Sequence, residues 1–329
     1  ARWDAFVESA PRASFFHRSG WSQVMEQTFG HQSYSLYAEE NGEITGILPL
    51  GRIKSRLFGD ALISNPFAVY GGPVAQTDAA EMALQEAACE LAEALRVDYL
   101  ELRNREPVHN GWPTKDLYVT FRKAIEGNPE DNMNAIPRKQ RAMVRKGIKE
   151  GLVSEIDEGV ERFYDAFSTS VRNLGTPVLP RRYFQALKET FGDDCETLVV
   201  TRDGKTVSAV MSFYHRDEVL PYYGGGTEAA RTVKANDFMY WEVLRRACSG
   251  GYRVFDYGRS KAGTGSYSFK KNWGFTPEPL YYQYYLVKAK DIPNVNPLNP
   301  KYRLFIEAWK RLPLPVANTV GPWLSPSLG

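Results

Sequence analysis

The chain contains one folding pattern twice, and this repeat constrains its fold more than any other feature. Residues 36–50 alternate apolar and polar side chains around Asn41-Gly42, and residues 198–212 do the same around Asp203-Gly204. Asn-Gly and Asp-Gly readily adopt the positive φ angles of tight two-residue turns. Each stretch therefore predicts a β-hairpin.

The segments after the two hairpins also correspond in order. Each hairpin is followed by an aromatic–glycine strand, then by an amphipathic helix, and then by a short buried strand. In the first copy these are Val69–Gly72, the helix with Leu84, Ala88, Leu91 and Leu95 at helical spacing, and residues 98–102. In the second they are Tyr222–Gly226, a helix capped by Asn236 or Asp237 that runs to Cys248 before Gly250-Gly251, and residues 253–257. An ordered set that recurs after about 155 of 329 residues predicts two similar lobes.

The expected fold class is therefore α/β with mixed sheets, built from two tandem lobes and a C-terminal strap. The polar segment 128–134 breaks the pattern, and a helix from Pro137 to about Gly151 joins the lobes. We expect a first lobe at 1–135, a second lobe at 136–290 that carries the catalytic loop, and a proline-rich tail at 291–329.

The tail contains one predicted amphipathic helix, from Lys301 to Leu312. Its apolar stripe packs on the body as a strap or, in the alternative, contacts a membrane surface with the help of neighbouring cations. The stripe consists of Tyr302, Phe305, Ile306 and Trp309, and the cations are Lys301, Arg303, Lys310 and Arg311.

Composition excludes several classes of function. The net charge is only +2, so binding of an anion must depend on a local patch. The four histidines and three cysteines show no metal-binding spacing, and no Walker A or dinucleotide-binding motif is present. No apolar run reaches the roughly 20 residues that span a bilayer. We expect no metal and a reducing, cytoplasmic location, with peripheral contact with the inner membrane as an option.

The two copies differ most after their last strand. The first copy continues with ordinary loop sequence at 103–107, whereas the second continues with residues 258–275, which combine glycines, cations and aromatic side chains. Such a mixture provides backbone freedom, anion-binding charge and flat stacking surfaces. We therefore expect the chemistry in the second lobe.

This segment resembles the second-lobe signature of the FemAB family, whose members are peptidyltransferase-like enzymes with two GNAT-type (acetyltransferase-like) lobes. The matching motifs are Phe255-Asp-Tyr-Gly258 and Phe269-Lys-x-x-Trp273-Gly274. The resemblance extends from about Trp21 to Leu286. It is most similar to the FemAB-like branch associated with PEP-CTERM protein sorting and exopolysaccharide loci, through Gly175-Thr-Pro177 and Phe255-Asp-x-Gly-Arg-Ser260.

The resemblance implies that Lys270 is the catalytic residue, because it occupies the position of the family's key lysine. Attack of an amine or hydroxyl on an ester or thioester creates negative charge on the carbonyl oxygen, which a fixed cation stabilises. The alternative is an ordinary surface lysine. Substrate-binding roles are expected for neighbouring residues, although Asp256 also suits a loop anchor, Arg259 an ion pair, and each aromatic residue a place in the core. These candidates are Phe269, Tyr223, Asp256, Arg259, Tyr267 and Trp273.

A basic stripe marks the helix after Pro137. Arg138, Arg141, Arg145 and Lys149 fall within about 80° of arc. Cations in the first turn oppose the helix dipole, so we expect an external anion such as phosphate to neutralise them. The alternatives are a solvated face and ion pairs with acids elsewhere in the chain.

Two classes of function follow. The first is a FemAB-type acyl- or aminoacyl-transferase acting on an amino or hydroxyl group of a cell-envelope or exopolysaccharide precursor. It would bind no resident cofactor and would use aminoacyl-tRNA or acyl-CoA as donor. The second is a non-catalytic module that binds a phosphorylated glycan or RNA. The expected partners are a phosphate-bearing small molecule or lipid-linked glycan precursor, tRNA as an option, and no DNA.

Overall fold

A computed structural model describes residues 2–55, 59–108, 111–293 and 300–329, the last range without the side chains of 300–302. The fold is mixed α/β, as predicted. The helices are α1 (Arg2–Ser9), α2 (Ser19–Phe29), α3 (Asp78–Ala94), α4 (Pro129–Ala135), α5 (Arg138–Lys149), α6 (Glu161–Leu174), α7 (Arg181–Phe191), α8 (Ala230–Val233), α9 (Ala235–Ser249), α10 (Gly265–Asn272), α11 (Pro300–Lys310) and α12 (Leu314–Leu324). The strands are β1 (Gln32–Glu40), β2 (Glu43–Ser55), β3 (Gly59–Ser64), β4 (Val74–Ala75), β5 (Tyr99–Asn104), β6 (Thr114–Lys115), β7 (Tyr118–Ala124), β8 (Val153–Ile156), β9 (Cys195–Arg202), β10 (Lys205–His215), β11 (Glu218–Gly226), β12 (Val254–Asp256), β13 (Ser260–Lys261), β14 (Pro277–Pro279) and β15 (Tyr281–Leu286).

The described chain forms two compact units. Unit 1 comprises residues 1–118, 279–294 and 326–329. Its sheet has the order β1-β2-β3-β5-β15-β6, with β4 paired to β2. Apolar side chains from β2, β3 and β5 pack with α3, which buries Leu84 and Ala88 in the core.

Unit 2 comprises residues 119–278 and 295–325. Its sheet has the order β13-β7-β12-β11-β10-β9-β8, with β14 paired to β7. Helix α6 packs on β10 and β11, and α5 packs on α9. Gly147 permits this last contact, because a Cβ there would lie 2.8 Å from the Cβ of Phe238.

Both predicted hairpins are confirmed. β1 and β2 pair around Asn41-Gly42, and β9 and β10 pair around Asp203-Gly204, with positive φ at all four turn residues. The expected aromatic–glycine strand exists only in the second copy, as β11. In the first copy residues 69–72 form a loop, because Gly71 and Gly72 donate their N–H groups to the carbonyl of Arg103 instead of joining a ladder.

The start of the second repeat helix was predicted wrongly. Helix α9 begins at Ala235, and Lys234, which has a positive φ of 60°, occupies the cap position. Asn236 and Asp237 therefore lie in the first turn of α9, and neither is its N-cap residue. The side chain of Asp237 turns inward to other partners, described below. The helix ends at Ser249 before Gly250, close to the predicted position.

The two units do not follow simple halves of the chain. The sequence pattern places a boundary at 135/136, whereas the contacts place Val119 and the residues after it in unit 2. The reason is strand pairing: β7 pairs with β12 in the sheet of unit 2, and β15 pairs with β5 in the sheet of unit 1. Each sheet thus includes a strand from the other half of the sequence.

The described part of the tail contains two α-helices instead of the single one predicted. α11 and α12 both pack on α6. Trp309 is buried, and Ile306 contacts the backbone at Gly175, so this part of the predicted stripe packs on the body. Phe305 is exposed, and the side chains of Tyr302 and Lys301 lie outside the described residues. No helix in the described residues is long and apolar enough to cross a membrane.

Candidate active site

Lys270 lies in α10, the helix formed by the glycine-rich segment after β12. Thr264 caps this helix by accepting the N–H of Tyr267. The side chain of Lys270 is 9% exposed, so the alternative of an ordinary surface lysine does not hold. Its Nζ donates to the carbonyl oxygens of Tyr257, Gly258 and Arg259, at 2.7, 3.0 and 3.1 Å.

These contacts define what the ammonium does in the described state. An ammonium has three N–H donors, and three carbonyl oxygens accept them. Lys270 thus holds the turn that follows β12. Burial lowers its pKa to about 7, against the opposing effect of Asp256, and the charge of Arg259 lowers the pKa further. Both the charged and the neutral forms are accessible near neutral pH.

Asp256 is fully buried at the end of β12. One carboxylate oxygen accepts the N–H of Gly258 at 2.7 Å, and the other forms an ion pair with Arg122 at 2.8 Å. Arg122 also pairs with Glu218 on β11. These contacts make Asp256 an anchor for the turn. It has no exposed surface in this state, and the substrate-binding role expected for it stays a prediction.

Arg259 lies close enough to Lys270 and to Tyr223 to affect the pKa of each. Burial is the main cause of both shifts: it lowers the pKa of Lys270 and raises that of Tyr223, and the charge of Arg259 lowers both pKa values. Tyr223 is half-buried, and its hydroxyl is 2.9 Å from that of Tyr183. Its ring packs edge-on against Phe167 and other aromatic rings of unit 2. Arg259, which is partly exposed, is the better placed of the two for ligand contact.

The three aromatic candidates of the α10 segment differ in exposure. Trp273 is 1% exposed and packs in the core of unit 2, and the substrate contact expected for it stays a prediction. Tyr267 and Phe269 are half-buried. Tyr267 packs edge-on against Phe121, and Phe269 packs against Tyr240. Each retains some accessible surface for a ligand beside Lys270.

The link between this segment and the basic helix is not evident from the sequence. The buried carboxylate of Asp237 accepts from Nε2 of Gln140 on α5 at 2.6 Å and from Nε1 of Trp273 at 3.1 Å. Burial raises the pKa of Asp237, and the two hydrogen bonds oppose this effect. The only sequence signal was an acidic residue among apolar ones near the start of α9. Its partners lie 97 and 36 residues away.

The basic stripe is a real surface feature of α5. The buried side of this helix carries Gln140, Val144 and Gly147. The other side carries the cations that line a groove of about 500 Å³: Arg138, Arg141, Arg145, Lys146 and Lys149.

The stripe carries unbalanced positive charge. Arg141 donates to the side chain and carbonyl of Asn134. Within residues 2–55, 59–108, 111–293 and 300–329, no carboxylate lies within 4.0 Å of a cation of the stripe. The described chain therefore provides no acidic partner for the stripe, and its charge is balanced by an external anion or by solvent.

Unit 1 contains a second pocket, of about 170 Å³, at the end of β5. In the sequence, the loop at 103–107 has an ordinary composition. Arg105 stacks over the ring of Tyr70, and Gly72 lies against the side chain of Asn104. Oδ1 of Asn104 is buried and has no hydrogen-bond partner in the described chain. The paired glycines and the Arg103-Asn104-Arg105 run were the available signals. The pocket wall thus carries an amide oxygen without a hydrogen-bond partner, and both Arg105 and Glu106 line it.

Metal chemistry has no candidate site in the described part of the chain. No group of three or more histidine, cysteine, aspartate or glutamate side chains is arranged to hold an ion there.

The part of the chain that contains Lys270 and the basic stripe is similar to a known protein family. Residues 133–271 match the family model described as "Acetyltransferase (GNAT) domain". The matched GNAT domain includes α5, β9 to β12 and most of α10, and therefore both the basic stripe and Lys270. No curated protein is significantly similar to the chain in sequence.

Solved structures show the same fold over most of the chain. FemX is 16% identical, with 92% of this chain and 97% of FemX covered and a TM-score of 0.69. The C-terminal domain of a protein assigned as a lysylphosphatidylglycerol synthetase from Agrobacterium fabrum is 13% identical, with coverages of 85% and 90% and a TM-score of 0.59. A tandem GNAT protein from the clavulanic acid biosynthesis pathway is 13% identical, with coverages of 88% and 93% and a TM-score of 0.53.

These comparisons establish the fold as two tandem GNAT-like lobes with a C-terminal strap. The match of residues 133–271 to an acetyltransferase family supports acyl transfer as the general class of reaction. Identities below one fifth do not transfer a substrate from one protein to another.

Proposed function

We propose that the protein is a FemAB-type transferase that moves an acyl or aminoacyl group onto an amino or hydroxyl group of a cell-envelope or exopolysaccharide precursor. One observation carries this proposal: a buried ammonium, Lys270, is fixed at the turn after β12 inside the matched GNAT domain. A cation held in a dry environment interacts with developing negative charge far more strongly than one in water.

The reaction would proceed by nucleophilic attack. The acceptor nitrogen or oxygen forms a bond to the donor carbonyl carbon, and the carbonyl oxygen becomes an oxyanion. Collapse of this intermediate breaks the C–O bond of an aminoacyl ester or the C–S bond of a thioester. The proton of the nucleophile passes to the leaving group or to a phosphate of the substrate.

Lys270 would stabilise the oxyanion by exchanging one of its carbonyl partners for the substrate oxygen. This exchange costs little, because one neutral acceptor is replaced by a charged one. Arg259 would add positive charge and bind a carboxylate or phosphate, and Tyr267 and Phe269 would contact the bound groups.

The basic stripe on α5 would bind the phosphates of the substrate. The donor is either aminoacyl-tRNA or acyl-CoA, and the acceptor is a phosphate-bearing or lipid-linked glycan precursor; each of these carries phosphate groups that suit Arg138, Arg141, Arg145 and Lys149. We propose that the protein acts in the cytoplasm, where these donors are made, and that it needs no resident cofactor.

A second candidate function is a binding module for a phosphorylated glycan or RNA. The lack of carboxylate partners for the stripe in the described chain favours it independently of Lys270. This function would require anion binding but no turnover.

Donor consumption distinguishes the two functions. The protein would be incubated with labelled acyl-CoA or aminoacyl-tRNA together with nucleotide-linked and lipid-linked sugar acceptors, and the labelled product would be measured. A transferase yields product with at least one donor. Phosphate-sensitive binding without product from either donor supports the binding module and contradicts the transferase.

A further inference from the structure

The outer face of α12 is apolar and has no partner in the described chain. Val316, Val320 and Trp323 are spaced by four and three residues, so they share one side of the helix. All three are exposed, and Trp323 is 83% exposed. A tryptophan in this position on an isolated globular protein leaves a large apolar ring in water.

The inner face of α12 explains why the helix stays in place. Ala317 and Gly321 are buried, and Gly321 lies directly against the backbone of Val178. Asn318 donates to Oγ of Ser168 on α6 at 3.3 Å. The helix is therefore anchored by one face while the other is presented outward.

The neighbouring helix adds to this surface. Leu304 on α11 is 83% exposed, and Phe305 is also exposed. Both α11 and α12 pack on α6, and both leave apolar side chains exposed. We name these five exposed side chains the tail patch: Leu304, Phe305, Val316, Val320 and Trp323.

Charge indicates what covers the tail patch. Residues 300–311 contain four cations, Lys301, Arg303, Lys310 and Arg311, and one acid, Glu307. Glu307 pairs with Lys310, which leaves the positive charge in excess. Residues 312–329 contain no charged side chain. An apolar face flanked by cations complements a bilayer with anionic head groups. Two copies of the chain would repel each other at this patch, because both would carry the same positive charge.

We propose that the tail patch docks the protein on a membrane surface that contains anionic phospholipids. The apolar side chains enter the boundary between head groups and acyl chains, and the indole of Trp323 lies at the level of the head groups. Arg303 and Arg311 face the lipid phosphates. The inference rests on the tail alone and holds whether or not the GNAT domain transfers an acyl group.

The test is co-sedimentation of the full chain with vesicles of phosphatidylcholine, with and without phosphatidylglycerol. We expect binding only when phosphatidylglycerol is present. Val320→Ser/Trp323→Ser should weaken binding at least about tenfold, since two apolar side chains are lost. Arg303→Gln and Arg311→Gln should weaken it about fivefold each. Met82→Ser, which removes an exposed apolar side chain on α3, is the matched control and should bind like the original protein.

Three outcomes overturn the proposal. The first is no binding to either vesicle. The second is binding that Val320→Ser/Trp323→Ser and Met82→Ser change equally. The third is self-association in sedimentation equilibrium that the tail variant abolishes, which would assign the patch to a second copy. Circular dichroism of each variant, and the transferase assay applied to the same samples, separate a folding failure and a failure of the catalytic proposal from a failure of membrane docking.

Discussion

At the scale of single residues, the protonation of Lys270 links its geometry to a measurable rate. Its three carbonyl contacts favour the ammonium, and burial favours the neutral amine. The balance sets a pKa of about 7 instead of the ordinary 10.5. An oxyanion is stabilised by the charged form, whereas a general base would have to be neutral.

The transfer rate should therefore fall as the pH rises through about 7, because the charged form of Lys270 is lost over this range. The measurement is a pH–rate profile of the original protein and of Lys270→Arg, whose guanidinium stays charged. Lys270→Arg should lack the step near pH 7. A rate of the original protein that increases through the same range would assign Lys270 as a base and contradict the oxyanion role.

Asp237 gives a second prediction at this scale. Asp237→Ala leaves buried donors on Gln140 and Trp273 without an acceptor, and it should lower the free energy of unfolding by about 2–4 kcal/mol. Asp237→Asn keeps an acceptor oxygen and should cost less than about 1 kcal/mol. Urea unfolding of both variants measures the difference. Equal losses of unfolding free energy in the two variants would show that Asp237 does not stabilise the fold through its two hydrogen bonds.

The sign of the pH effect on Asp237 follows from its raised pKa. The folded protein holds the carboxyl proton to higher pH than the unfolded chain does. The stability of the original protein relative to Asp237→Asn should thus be greatest below the ordinary aspartate pKa of 3.8 and should fall as the pH rises through the folded-state pKa. The opposite slope would contradict the burial of this carboxylate.

At the scale of elements, α5 combines a tight inner contact with a charged outer groove. Gly147→Ala places a Cβ 2.8 Å from the Cβ of Phe238, so α5 must shift from α9. We expect a loss of about 1–3 kcal/mol in unfolding free energy. Gly265→Ala, at the open start of α10, is the control and should be neutral or slightly stabilising. A neutral Gly147→Ala would contradict the close helix contact.

The outer groove makes its own prediction. Arg141→Gln/Arg145→Gln should weaken binding of inorganic pyrophosphate about tenfold or more, and the affinity of the original protein should fall with added salt. Lys205→Gln/Arg231→Gln changes two exposed cations elsewhere in unit 2 and should leave the affinity unchanged. Calorimetric titration provides the measurement. Equal affinities of the two double variants would remove the stripe from the proposed substrate site.

The hairpins and the start of α9 differ in how far the sequence determines them. The hairpins were predictable because Asn41-Gly42 and Asp203-Gly204 determine their turns locally. The start of α9 was not predictable from the sequence. Lys234 adopts a positive φ at the cap position, which is uncommon for lysine. Asp237 therefore had the sequence position of a cap residue, although its carboxylate accepts hydrogen bonds from Gln140 and Trp273.

At the scale of the whole molecule, the repeat predicted two lobes but not which strands complete each sheet. Alternating side chains identify a strand without naming its neighbour, and consecutive strands are the usual partners. The pairing of β7 with β12 and of β15 with β5 joins residues more than a hundred positions apart. Likewise, the motif around Phe269 located Lys270, but its three carbonyl contacts and the burial of Trp273 depend on packing that no local pattern encodes.

The central claim for the molecule is that unit 2 uses Lys270 to catalyse acyl transfer, and its neighbour on α10 provides the comparison. Lys271 is exposed, whereas Lys270 is buried and bonded to the turn after β12. The decisive measurement is the rate of product formation by Lys270→Met and by Lys271→Met, each with its fold verified by circular dichroism. We predict a loss on the order of 10²–10³ for Lys270→Met and an unchanged rate for Lys271→Met. A folded Lys270→Met protein that turns over at the original rate would contradict the account.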